Sequence, residues 1–191
     1  MLVAVVGPSG AGKDTLLAGA RAALADDARF RWVRRAITRP AEAGGEHHLP
    51  ITEADFAALR GAGGFALWWA AHGLSYGIPS DIEEDIARGR VVVANLSRAV
   101  LPEAARYPLR VLEITAPVAV RAARLAARGR EDPADIAARL AREAALPPGL
   151  DVETVSNDAD PATGVARVLA ALNRAAKDAR RPGRVHPARP G

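Results

Sequence analysis

The stretch Gly7-Pro8-Ser9-Gly10-Ala11-Gly12-Lys13 does most to narrow what this chain can become. It follows the apolar run Leu2-Val3-Ala4-Val5-Val6. It precedes Leu16, Leu17, Ala20 and Leu24, which recur at helical spacing. Strand, glycine-rich turn and helix, in that order, is the setting of a phosphate-binding P-loop. Gly7 and Gly12 suit a turn too tight for side chains, in which backbone N–H groups point inward. The helix N-terminus behind the turn adds partial positive charge. Lys13 is placed to reach the outer phosphates of a nucleotide. Where the common pattern continues with Ser or Thr, this chain has Asp14 followed by Thr15. A carboxylate there repels phosphate unless it turns toward a cation, water or another substrate group. The motif indicates nucleotide phosphate binding and leaves the reaction unnamed.

The rest of the chain reads as strands alternating with helices. Phe30–Ala36 is a strand candidate leading into Ile37-Thr38-Arg39-Pro40, where Pro40 keeps Arg39 extended. Arg35 and Arg39 suit a phosphate pair, because guanidinium forks match phosphate oxygens; a solvated basic strand end is the plainer alternative. Ala43–His48 is a polar loop whose His47 and His48 lack an evident third metal ligand. Thr52 to Asp55 forms a capping box for a short helix, and Phe65–Ala71 is a strand in which Trp68 and Trp69 point to opposite faces. Tyr76 follows the turn at His72-Gly73. Ser80 and Glu83 predict a second capping box, with a helix through Arg88, and Asp81, Glu84 and Asp85 form its solvated acidic face. Val91–Ala94 is a buried strand that ends at Asn95-Leu96-Ser97-Arg98, a crevice position in an α/β sheet. Asn95 there either orients substrate or caps the next helix.

Leu109–Ile114 is a further strand. The helix after Pro117 carries Arg121, Arg124 and Arg128, then breaks at Gly129 before Arg130 and a second helix with Arg139 and Arg142. Helix, break, helix suits a lid over about 124–146 whose arginines converge on phosphate; a static pair with a solvated basic face is the alternative. Val152–Ser156 and a helix over about Ala162 to Ala176 complete a parallel sheet covered on both faces. The expected architecture is one α/β domain over residues 1–176, with an acceptor-binding region over about 35–80.

Composition removes several classes. The chain has 191 residues and no Cys, which excludes disulfides and cysteine-based zinc sites. The N-terminal apolar run is too short to span a membrane and passes straight into the loop, so the expected location is cytoplasmic. The net charge of +4 is concentrated in residues 177–191, which read as a disordered basic tail. No dedicated nucleic-acid or membrane module accompanies it.

The ordered set Gly7–Asp14, Arg35–Pro40, Gly44–His48, Ser75–Pro79, Asn95–Arg98 and the lid arginines resembles the guanylate-kinase-like branch of the P-loop kinases. Within it, the set is most similar to the ribose 1,5-bisphosphate phosphokinases. Four departures separate it from a guanylate kinase: Asp14 after the lysine, no arginine near Glu42, Leu67 where a base-reading glutamate would align, and an amide at Asn95. Leucine accepts no hydrogen bond from a guanine edge.

The resemblance implies a P-loop kinase fold and transfer of the ATP γ-phosphoryl group to the 1-phosphate of ribose 1,5-bisphosphate. The product would be 5-phosphoribosyl 1-diphosphate, made beside bacterial phosphonate breakdown. It places ATP on Gly7, Pro8, Ser9, Gly10, Ala11, Gly12, Lys13, Asp14 and Thr15, with Thr15 helping to position Mg²⁺ directly or through water. It puts Asn157 near adenine. It assigns Arg35, Arg39, Tyr76, Asn95 and Arg98 to the phosphorylated ribose acceptor, and Lys13, Arg128, Arg130 and Arg139 to catalysis. A homo-oligomer is compatible with this sequence. The alternatives are a guanylate or other small-metabolite kinase, and a catalytically weak guanylate-kinase-like binding module.

Overall fold

The computed structural model describes residues 1–41, 46–127, 137, 140 and 145–180. In chain order, β1 (Leu2–Val6) leads through the glycine loop into α1 (Lys13–Ala23), and β2 (Phe30–Trp32) follows. A second group comprises β3 (Ala36–Ile37), β4 (Leu49–Pro50), α2 (Glu53–Gly61) and the hairpin β5 (Phe65–Ala71) and β6 (Leu74–Pro79). The chain then returns through α3 (Ile82–Ala87), β7 (Val91–Asn95), a 3₁₀ turn at Arg98–Val100, α4 (Leu101–Ala104), β8 (Leu109–Thr115), α5 (Val118–Ala126), β9 (Val152–Ser156) and α6 (Pro161–Ala179).

The main sheet has the order β2-β7-β1-β8-β9, and every pairing in it is parallel. β1 sits at its centre because all five of its residues are apolar, which suits a strand covered on both faces. Alternation sends Val3 and Val5 to one core with Leu16 and Ala20 of α1 and Val168, Ala171 and Leu172 of α6. Leu2, Ala4 and Val6 join the opposite core with Leu67, Ile78, Ile82 and Leu101. Leu16 and Leu172 are fully buried, so truncating either to Ala would cost about 2–5 kcal/mol. The small sheet, ordered β4-β3-β6-β5, stands beside this frame. Asn95 and Glu113 lie in register with Val5 and Val6 at the C-terminal edge of the main sheet, where the glycine loop begins. A switch-point crevice of an α/β sheet lies at such an edge.

Four sequence expectations change. Phe30–Ala36 is not one strand: β2 ends at Trp32, Val33 N–H makes a last ladder bond to Val93, and Arg34-Arg35 cross to the small sheet. Two adjacent arginines fit a crossing better than a buried ladder. The second capping box does not form. α3 starts one residue later, at Ile82, with no side-chain cap, and the Glu83 carboxylate instead accepts the Tyr107 hydroxyl at 2.6 Å. Its acidic neighbours are not all solvated, since Asp85 is buried and accepts from Arg90 at 2.8 Å. Lys177-Asp178-Ala179 belong to α6 rather than to a tail, held where Asp178 meets Arg110 at 3.0 Å and Ala179 packs on the core. The other cap forms by half: Thr52 Oγ1 accepts from Asp55 N–H at 3.1 Å, but the shorter Asp side chain takes the Thr hydroxyl at 2.7 Å. Among the described residues no helix is long and apolar enough to cross a membrane.

Candidate active site

The glycine loop has the conformation its composition demands. Gly7, Gly10 and Gly12 take φ of 151°, 81° and 85°. A Cβ on Gly12 would lie 2.4 Å from Asn157 Nδ2, and one on Gly7 would lie 2.1 Å from the Ile114 carbonyl oxygen. The loop's carbonyls are taken from the protein side. Arg121 Nε donates to Ser9 O at 3.1 Å, Asn157 Nδ2 to Ala11 O at 2.8 Å, and Lys13 Nζ to Gly7 O and Pro8 O at 2.7 and 3.2 Å. Among the described residues, Ala11 N–H finds Pro8 O, while the N–H groups of Ser9, Gly10 and Gly12 have no acceptor. Unmet N–H groups beside a helix N-terminus form a cradle for an anion, so the loop fits a nucleotide phosphate chain.

Lys13 is largely buried. Burial pushes its ammonium down to about 8; Arg35 and Arg98 push the same way, while Asp14 and Glu46 oppose them. Its present partners are carbonyls, which an incoming phosphate would replace with a full charge.

Beside the loop lies a cavity of about 590 Å³. Asp14, Arg35, Glu46, His47 and Asn95 line its polar end, and Leu17, Trp32 and Val93 part of its apolar wall. Arg35 donates through Nε and a terminal nitrogen to the two oxygens of Glu46, at 2.6 and 2.5 Å. Asn95 Nδ2 donates to Glu46 Oε2 at 3.0 Å. The Arg35 guanidinium lies 5.0 Å from the Tyr76 ring centre and 5.6 Å from that of Trp69, and these two rings stack at 5.3 Å. Trp69 is buried and Trp68 is exposed, as strand alternation requires. Arg39 reaches the same loop through His48. His48 Nε2 lies 3.0 Å from Arg39 O, and its Nδ1 lies 3.1 Å from Glu46 O and 3.3 Å from a terminal nitrogen of Arg39. Among the described residues no carboxylate pairs with Arg39, and its Nε is buried without a partner. Arg98 pairs with Glu113 at 2.8 Å across the sheet edge. Asn95 does not cap the following turn; Ser97 does, accepting from Ala99 N–H at 3.3 Å.

The sequence-predicted residues thus fall into groups. Lys13, Asp14, Arg35, Asn95 and Arg98 gather around the loop and cavity, with Tyr76 beneath Arg35. Asp14 and Thr15 are both exposed at the start of α1. Asn157 is buried below the loop as a brace. Leu67, expected at a base-reading position, is completely buried in the core and does not line the cavity beside the loop. Arg121 and Arg124, assigned from the sequence to the lid helix, lie under the loop instead, Arg124 donating to Ala11 O and Asn157 O at 3.4 and 3.1 Å. Arg128, Arg130 and Arg139 lie outside the described residues. Sequence reasoning missed Glu46 as the partner of Arg35. It also missed Arg121, although Arg121 and Leu125 are both buried one turn apart and so mark a stripe that the spacing carried. Among the described residues, no group of three His, Asp or Glu side chains is placed to hold a metal by itself.

Comparison with known proteins places this geometry. The chain is 57% identical over 104 residues to "Ribose 1,5-bisphosphate phosphokinase PhnN" of Brucella melitensis, a match covering 54% of each chain. It is 51% identical over 171 residues to a "Bifunctional ribose 1,5-bisphosphokinase-thymidine phosphorylase" of Azorhizobium caulinodans, covering 88% of this chain and 25% of that protein. The chain thus spans about half the length of the first relative and a quarter of the second. No protein-family model matches it. Guanylate kinase from Anaplasma phagocytophilum shares the fold at 15% identity, with a TM-score of 0.64 over 91% of this chain and 85% of that one. By sequence the chain is a relative of the ribose 1,5-bisphosphate phosphokinases, and its fold is the P-loop kinase fold of guanylate kinase.

Proposed function

We propose that this protein transfers the γ-phosphoryl group of ATP to the 1-phosphate of ribose 1,5-bisphosphate, giving 5-phosphoribosyl 1-diphosphate and ADP in the cytoplasm, beside phosphonate breakdown. The observation that carries this is the similarity over 88% of the chain to a relative named as a ribose 1,5-bisphosphokinase. The loop and the acceptor-side arginines supply chemistry that agrees with it.

An oxygen of the 1-phosphate attacks the γ-phosphorus, and the bond from that phosphorus to the β–γ bridging oxygen breaks as ADP leaves. The nucleophile is already ionised, so the protein needs no strong general base. It needs alignment and charge stabilisation. Lys13 and the unmet N–H groups of the loop hold the donor phosphates. Arg39, which lacks a carboxylate partner among the described residues, takes the acceptor phosphate, with Tyr76 nearby. Arg98, held by Glu113, stands near Lys13 at the same sheet edge. Arg128, Arg130 and Arg139 would close over the transferring group. Asp14 and Thr15 offer hard oxygen donors that fit Mg²⁺ held mainly by phosphates. When bound, Mg²⁺ supplies charge neutralisation on the donor's phosphate oxygens.

The test is transfer by the purified chain from ATP and Mg²⁺ to ribose 1,5-bisphosphate or to GMP. Products are separated by phosphorus NMR and ADP is measured alongside. Formation of the 1-diphosphate with little GDP is expected. Efficient GDP formation without transfer to the sugar would overturn the assignment.

A further inference from the structure

The two acceptor-side arginines stand in opposite electrostatic conditions. Arg35 is committed: the Glu46 carboxylate fills its fork at 2.6 and 2.5 Å, and two aromatic rings lie against it. Its charge is largely cancelled before any phosphate arrives. Arg39 meets only His48 through its side chain among the described residues. An incoming phosphate therefore finds its open cation at Arg39, and the Arg35–Glu46 pair is left for another part of the substrate.

That part must offer hydrogen-bond donors. A carboxylate presents about four acceptor positions. Arg35 and Asn95 Nδ2 take three, which leaves one on Glu46 Oε1. With its Nδ2 turned to the carboxylate, Asn95 keeps Oδ1, which accepts nothing among the described residues. Both residues line the cavity, and Glu46 is mostly buried. Two acceptor oxygens in one wall repel phosphate and suit a pair of hydroxyls. We propose that Glu46 Oε1 and Asn95 Oδ1 read the vicinal 2- and 3-hydroxyls of a pentose phosphate acceptor, with Arg35 as the positioning residue that fixes the Glu46 carboxylate. This rests on the function proposed above and deepens it. A sugar lacking the 2-hydroxyl leaves a buried acceptor unmatched, which a site built for a hydroxyl penalises strongly.

The experiment measures kcat/KM of the full chain with ATP and Mg²⁺ on ribose 1,5-bisphosphate and on its 2-deoxy analogue. The parent protein should prefer the ribose compound by roughly 100-fold or more. Glu46→Ala should lose about that factor on ribose and less than ~5-fold on the deoxy sugar, so the preference collapses. Glu46→Gln keeps the volume and one carbonyl oxygen, and carries the test if the alanine protein is unfolded; its preference should fall about tenfold. Equal losses on both sugars, or an unchanged preference in the Gln protein, would overturn this assignment while transfer to the ribose compound left the proposed function standing. No transfer to either sugar, with GMP phosphorylated, would sink both.

Discussion

Lys13 offers the sharpest quantitative prediction, because the protein has lowered its basicity before any ligand arrives. Burial holds the ammonium at about 8 against an ordinary 10.5, with the Gly7 and Pro8 carbonyls as its hydrogen-bond acceptors among the described residues. Bound phosphates should restore the ordinary value, so nucleotide binding must take up a proton wherever the free protein has lost it. At pH ~7.5 about three quarters of the free protein carries the charge, and at pH ~9.5 about 3% does. Affinity for a non-hydrolysable ATP analogue with Mg²⁺ should therefore weaken about 20-fold across that interval, ~1.8 kcal/mol. The γ-phosphate is already ionised throughout, so the nucleotide contributes little to the slope. Isothermal calorimetry in two buffers of different ionisation enthalpy reads both the affinity and the proton uptake. Lys13→Met should bind weakly with no such slope. Flat affinity in the parent protein, or the same slope in the Met variant, would refute the argument.

The same shift predicts stability: the native value lies below the unfolded one, so the unfolded chain binds more protons between about 8 and 10.5, and the penalty for burying the charge is relieved as pH rises through that window. The parent chain should gain up to ~3 kcal/mol relative to Lys13→Met between those limits, read by urea titration; a constant difference would contradict it. Gly12→Ala should lower stability by about 1–2 kcal/mol for the left-handed backbone alone, and should also weaken nucleotide binding by pushing Asn157 from Ala11; normal binding would mean the brace is dispensable. Truncation after Arg180 should leave turnover unchanged, whereas truncation after Ala176 removes Asp178 from Arg110 and should lower the melting temperature by about 2–4 °C per kcal/mol lost; equal melting temperatures would show that the last turn of α6 adds nothing.

The fold was legible because its signals are local. β1 is an uninterrupted apolar run, and the glycine spacing after it has one well-known backbone solution. β7 and β9 sit where their patterns predict them, and Trp68 and Trp69 part to opposite faces by alternation alone. Elements were misread where charge meets geometry. Phe30–Ala36 has the composition of a strand, yet nothing in it says that Arg34 and Arg35 must carry the chain between two sheets. Asp178 sits in a basic, alanine-rich stretch that looks like tail, and its partner Arg110 lies 68 residues earlier, beyond the reach of any local pattern.

The site was legible in its cations and illegible in their pairing, and the pairing decides their roles. Arg35 and Arg39 are four residues apart in sequence and look equivalent there. Glu46 is separated from Arg35 by eleven residues and from Asn95 by forty-nine, so no spacing rule joins the three. Once joined, they change the chemistry of the acceptor side. A guanidinium holding a carboxylate presents little net charge to phosphate, while one with no carboxylate partner among the described residues presents far more of it. The loop shows the same logic in another form. Arg121 and Arg124 share the helix that the sequence reads as leading into an arginine-rich lid, but they donate to the Ser9 and Ala11 carbonyls. Each carbonyl drawn to the protein side leaves neighbouring N–H groups free to face a ligand. Substituting Arg121 should therefore weaken nucleotide binding through the shape of the loop, although its buried side chain is 2% exposed and reaches the loop from behind.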